Sequence, residues 1–134
     1  MAFDNFMDLS VSFPRRGVRI TGYISLEDCL KNFIKAEQMD ECGYKCTKCK
    51  KVDHFTKDMT LFKFPTILVI HLKRFYNSYM RREKINTSVE IPNRLDMTPY
   101  APYLDSKQKS RVRPYKLFGM SHHSGTLYGG HYIG

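Results

Sequence analysis

The sequence contains no tryptophan, no basic leader and no apolar run approaching the roughly 20 residues that a membrane-crossing helix needs. Its first residues, "MAFDNFMDLS", carry acids where a secretory signal would place a basic n-region. These absences predict a soluble, intracellular protein, cytoplasmic and/or nuclear, with no membrane partner. Acids are also scarce: 13 Asp and Glu stand against 22 Lys and Arg, for a net charge of +9. The excess is spread over "KCTKCKK" (45–51), "KRFYNSYMRREK" (73–84) and "KQKSRVR" (107–113). None of these is a pure basic arm, and no stacking or groove-reading motif accompanies them. The charge therefore reads as a solvated face, and nucleic acid is not the expected partner.

Cysteine is sparse but clustered. Of four, Cys42, Cys46 and Cys49 fall within eight residues, and Cys29 stands apart. Without a secretory signal, such clustering points to a metal rather than to disulfides. "YKCTKCKK" (44–51) holds one C-x-x-C, which can aim the thiolates of Cys46 and Cys49 at a single zinc ion. A closed structural site needs four ligands, and there is no second C-x-x-C. Cys42 and His54 could close a site locally, but their spacing fits common ribbons poorly. The expectation is a zinc half-site, Cys46 and Cys49, whose partner pair lies elsewhere.

What is present suffices for one small α+β domain: 134 residues, 42% hydrophobic. "ISLEDCLKNFIKAEQM" (24–39) predicts a helix, with Ser25 as N-cap, Asp28 completing a capping box, and Leu26, Leu30, Phe33 and Ile34 on one stripe. Cys29 on that stripe reads as a buried core thiol. "HFTKDMTLFKF" (54–64) alternates and suits a strand. "PTILVIHLKRF" (65–75) reads as a central strand buried on both faces, with His71 a hydrogen-bonded core residue. "INTSVEIP" (85–92) is a further strand candidate. Residues 93–113, rich in proline and polar clusters, read as a long surface connection. Residues 114–125 and 129–134 read as two strands joined across "TLY".

Five stretches together resemble a known family. "FDNFMDLSVSF" (3–13), "SLEDCLKNFIKAEQMD" (25–40), "YKCTKCKK" (44–51), "FPTILVIHLKRF" (64–75) and "SHHSGTLYGGHY" (121–132) occur in this order in ubiquitin-specific proteases. The resemblance implies a papain-like cysteine protease with a hand-like fold of thumb, palm and zinc-bearing fingers. Residues 1–134 would then be part of that catalytic domain, about 40–55 forming a zinc-ribbon-like fingers tip and about 56–134 the fingers and palm sheet.

The family works through a triad of Cys, His, and Asp or Asn. His131, in "GGHY", matches the family histidine, and the match implies that it is catalytic. The sequence carries no G-N-T-C-Y nucleophile motif, and it stops before the third member is due. By this reading the chain is part of a thiol protease that hydrolyses the bond after ubiquitin's C-terminal glycine, inactive alone. Its partners would be ubiquitin and ubiquitinated proteins. His123, Gly129, Gly130 and Tyr132 are the expected substrate-binding residues, because a channel for a Gly-Gly tail needs walls without Cβ atoms. Two other readings compete: a catalytically dead, ubiquitin-binding regulatory module, and a zinc-ribbon nucleic-acid binder.

Overall fold

The computed structural model describes residues 6–13, 24–39, 45–52, 54–77, 79 and 82–134. Its best-packed part begins at Ser25. The Ser25 hydroxyl accepts from the Asp28 N–H at 3.1 Å, and the Asp28 carboxylate accepts from the Ser25 N–H at 3.2 Å. This reciprocal box satisfies two donors that a helix start would otherwise leave to water. Helix α1 then runs Leu26–Ile34. It stops short of the expected residue 39. Beyond Ile34 the stripe has no apolar side chain left to bury, and Glu37–Gln38 (strand β3) pairs instead with Thr56–Lys57 (β4).

The buried face of α1, Leu26, Cys29 and Leu30, meets Val11, Ile24, Leu61, Leu95, Met97, Tyr100 and Ala101 in one core. Cys29 is fully buried, as its place on the stripe predicts. Val11 closes strand β1 (Phe6–Val11), which lies parallel to β5 (Ile67–Leu72) with Val11 opposite Leu72. A two-residue strand before the helix, β2 (Ile24–Ser25), pairs in parallel with β8 (Val89–Glu90).

Three expectations need correction. First, β5 is not buried on both faces. Its side chains alternate between exposed and half-buried, and Ile67 and Val69 are exposed. Among the described residues its one strand neighbour is β1. His71, accordingly, is exposed rather than a core residue. Second, only Thr56–Lys57 of the expected strand 54–64 is a strand, which follows from the lack of a clean apolar face there.

Third, residues 93–113 are not a surface connection. They hold β9 (Arg94–Leu95), a 3-10 turn at Thr98–Tyr100 and helix α2 (Ser106–Arg111), and they supply four of the core residues. The turn is set by the Asp96 carboxylate, which accepts from the Thr98 N–H at 2.9 Å. The helix is set by a second capping box, Asp105 with Gln108. Leu95 is paired with Tyr115 of β10 (Tyr115–Lys116), whose hydroxyl donates to the Pro65 carbonyl. That link ties residues 93–116 to the approach of β5. Among the described residues no helix is long and apolar enough to cross a membrane.

Candidate functional site

Two antiparallel hairpins present the residues of interest. The first is β6 (Phe75–Asn77) with β7 (Arg82–Lys84). The second is β11 (His122–Gly125) with β12 (Gly130–Ile133); the strand expected over 114–125 is broken, since residues 117–121 between β10 and β11 are not strand. Lys84 joins them: its ammonium donates to the carbonyls of His123, at 3.3 Å, and Gly125, at 2.7 Å.

The turn of the second hairpin closes on itself. The Thr126 N–H donates to the Gly129 carbonyl at 2.8 Å, and the Tyr128 N–H to the Thr126 hydroxyl at 3.2 Å. Gly125 has φ +127°, a region that side chains rarely tolerate, and a Cβ there would meet the Gly129 carbonyl at 2.5 Å. Glycine at 125 is thus a condition of the turn.

The register sorts the hairpin's side chains. Ser124 lies opposite His131, and His123 opposite Tyr132. Because successive strand residues point to opposite faces, His131 shares a face with Ser124, His122 and Ile133. His123, Gly130 and Tyr132 occupy the other face. The structure therefore brings His131 to an exposed strand beside a glycine turn, but it does not put His123 or Tyr132 on the same side.

His123 sits in an aromatic slot instead. Its ring centroid is 5.6 Å from that of Phe75 and 4.7 Å from that of Tyr132. Burial, then the charges of Lys84 and His122, lower its pKa below the ordinary histidine value. Its Nδ1 is buried and has no hydrogen-bond partner among the described residues. Gly129 has open space where a side chain would be, whereas a Cβ on Gly130 would collide with the His123 ring and the Ser124 carbonyl. Lys84 and Phe75 were not expected at the site, since nothing local in their sequence marks them. The Gly125 requirement was foreshadowed by the glycine flanking "TLY".

The C-x-x-C occupies a separate loop. Lys45 and Val52 form an antiparallel bridge, and the Cys46 carbonyl accepts from the Lys50 N–H at 2.9 Å. Lys50 takes the left-handed conformation, φ 59°. The backbone N–H of Cys49, then that of Lys48, then the Cys49 thiol hydrogen-bond the Cys46 sulfur, and together they lower its pKa. A sulfur held among backbone donors has the chemistry of a thiolate ligand. Among the described residues no cluster of three metal-ligating side chains exists. Cys42 lies outside them. Cys29 is a different kind of cysteine: burial, with Asp28 next, raises its pKa, and its sulfur is shut in the core.

Comparison with known proteins completes the picture. The family model described as ubiquitin carboxyl-terminal hydrolase matches residues 32–134. Ubiquitin carboxyl-terminal hydrolase 2 of Gallus gallus is 40% identical over 98% of this chain, and its Homo sapiens counterpart 36% over 97%. The chain spans 35% and 20% of the lengths of those relatives. Among solved structures, the SAGA DUB module of Ubp8, Sgf11, Sus1 and Sgf73 bound to monoubiquitin superposes with a TM-score of 0.69 at 30% identity. That match covers 93% of this chain and 26% of the other. The same module bound to ubiquitin aldehyde gives 0.69 at 31%. A hairpin carrying "GGHY", a capped helix over a shared core and a family match over residues 32–134 all point one way: this chain belongs to the ubiquitin carboxyl-terminal hydrolase family.

Proposed function

We propose that this chain supplies the histidine half of a deubiquitinating thiol protease. The observation that carries the reading is His131, exposed on β12 beside a turn whose closure requires glycine. An exposed imidazole can take a proton from a cysteine thiol presented on its face, forming the thiolate that attacks the carbonyl after ubiquitin's last glycine. The resulting imidazolium protonates the leaving amine, and the neutral ring then activates water to release the acyl group.

None of the described cysteines suits the nucleophile's role. Cys29 is buried, and Cys46 and Cys49 sit in the separate C-x-x-C loop. In this reading the thiol comes from outside the described segments; the sequence holds no G-N-T-C-Y motif, and the 134-residue chain alone is expected not to turn over. Ubiquitin and ubiquitinated proteins are its partners in this reading. The relative whose module is bound to monoubiquitin supports that assignment.

The test is hydrolysis of a ubiquitin–fluorophore amide. The chain alone is expected to be silent. Joined to a nucleophile-bearing segment from a relative, it should cleave, and His131→Ala should lower kcat at least ~100-fold. Turnover unchanged by that substitution would sink the assignment. Ubiquitin binding without turnover after complementation would favour the regulatory module instead.

Cys46 and Cys49 would hold the shared zinc, whose chemistry is structural: it fixes the loop through thiolate bonds. Metal analysis of the 134-residue chain should find zinc weakly held. Tight stoichiometric zinc that disappears with Cys42→Ser would show a locally closed site.

A further inference from the structure

His123 is half-buried and chemically idle in the proposed reaction, yet four residues from three strands are arranged around it. Phe75, on β6, meets its ring nearly edge-on, with 67° between the planes. Tyr132, on β12, lies across the hairpin from it. Gly130 leaves open the volume that the ring fills, since any Cβ there would run into it. Lys84, on β7, donates to the His123 carbonyl itself and to that of Gly125, two residues on.

We propose that His123 is a positioning residue, whose ring seats strand β12 against the β6–β7 hairpin and thereby fixes where His131 stands. The proposal rests on the reading of His131 as the proton-transfer group. It replaces the expectation that His123 and Tyr132 touch substrate.

The geometry gives two reasons. Tyr132 directly follows His131, so a strand movement that unseats Tyr132 from its contact with His123 also carries the His131 backbone. Strand alternation also turns His123 and His131 to opposite faces, so a group that meets His131 on its own face is out of reach of His123. Among the described residues Nδ1 is buried without a partner, which fits a ring used for its shape rather than for hydrogen bonding. What the slot uses is a flat, rigid shape with a small footprint. The neighbouring charges, Lys84 and His122, both oppose protonation of that ring.

Shape and hydrogen bonding make opposite demands on a substitute, which makes the proposal testable in the 134-residue chain by NMR. His123→Phe keeps a ring and removes the polar atoms. His123→Gln keeps polar atoms and removes the ring. The phenylalanine variant is expected to preserve hydrogen-exchange protection at residues 131–133 and the ring resonances of His131. The glutamine variant is expected to lower that protection about tenfold, a typical equilibrium factor for one lost packing contact, and to shift the His131 resonances. The amides of α1 serve as the internal control and should not change. The reverse order, glutamine preserving and phenylalanine disrupting, would overturn the proposal.

A direct measurement covers the case in which both variants lose the hairpin. In the unmodified chain, nuclear Overhauser contacts should join the His123 ring to the Gly130 α-protons and to the Tyr132 ring, and their absence would also overturn it. None of these readouts uses ubiquitin. Failure of the catalytic reading would therefore leave them intact, and their failure would leave the catalytic reading intact.

Discussion

Around α1 the chain closes on itself; around β5 and the second hairpin it does not. Leu30, Met97, Val11 and Cys29 are at most 1% exposed. Phe118 and Tyr128, by contrast, are 83% and 89% exposed. Both regions are rich in apolar side chains, so composition does not separate them. What separates them is how many elements converge. Strand β1, α1, the 3-10 turn and β9 all contribute to the first, whereas β11 and β12 pair with each other and touch the body through Phe75 and Lys84. A sealed cluster supports the fold, whereas side chains that water already reaches contribute little to it. The first region thus holds the structure, and the second presents it.

The sharpest way to break this comparison is to truncate one residue in each region. Leu30→Ala removes a side chain that is 1% exposed, from a site whose neighbours come from several elements and cannot collapse inward freely. It should destabilise the chain by about 2–5 kcal/mol. Phe118→Ala removes a larger side chain that water already reaches, and should change stability by about 0.5 kcal/mol or less. Urea unfolding midpoints of the two variants check the pair. A Phe118 effect as large as the Leu30 effect would show that the open region also carries the fold.

The same division explains what could be read from the sequence. Helix α1 was legible because its signals are local: a serine cap, an acid three residues on and an apolar stripe. "GGHY" was legible because its spacing matches a family, and the glycine flanking "TLY" marked the turn. Residues 93–113 misled because the burial of Met97 and Tyr100 depends on their meeting α1, which no local pattern records. The Asp105–Gln108 capping box is a local helix signal in that stretch, set among prolines that signal turns instead. The apolar run of β5 implied two covered faces. An unbroken run reports that a strand can be buried, not what lies beside it. The slot around His123 was not legible at all. Phe75, Lys84, Gly130 and Tyr132 come from three strands, and pairing alone brings them together.

The smallest expected effect concerns how the closed region begins. Ser25→Ala deletes the hydroxyl that accepts from the Asp28 N–H, and should cost about 1 kcal/mol at neutral pH. The effect should also depend on pH, with a definite sign. The Ser25 hydroxyl, then the Ser25 N–H, with a smaller contribution from Lys31, hold the Asp28 carboxyl below its ordinary value of 3.8. Burial opposes this slightly. A carboxyl whose folded pKa is depressed contributes stability above its unfolded pKa, and loses it as pH falls through the folded value. The box should therefore stabilise the chain fully at pH 7 and fade below 3.8 as Asp28 takes up its proton. Because Asp28 and Lys31 are largely exposed, with 3.9 Å between charges, salt should weaken the Lys31 part and leave the hydrogen-bonded part. Unfolding midpoints of the parent, Ser25→Ala and Asp28→Asn, measured from pH 7 to pH 3, make the check. The parent should converge on Asp28→Asn at the acid end. If the gap between them is constant with pH, the Asp28 charge contributes nothing to the cap, and the closed region starts on its apolar contacts alone.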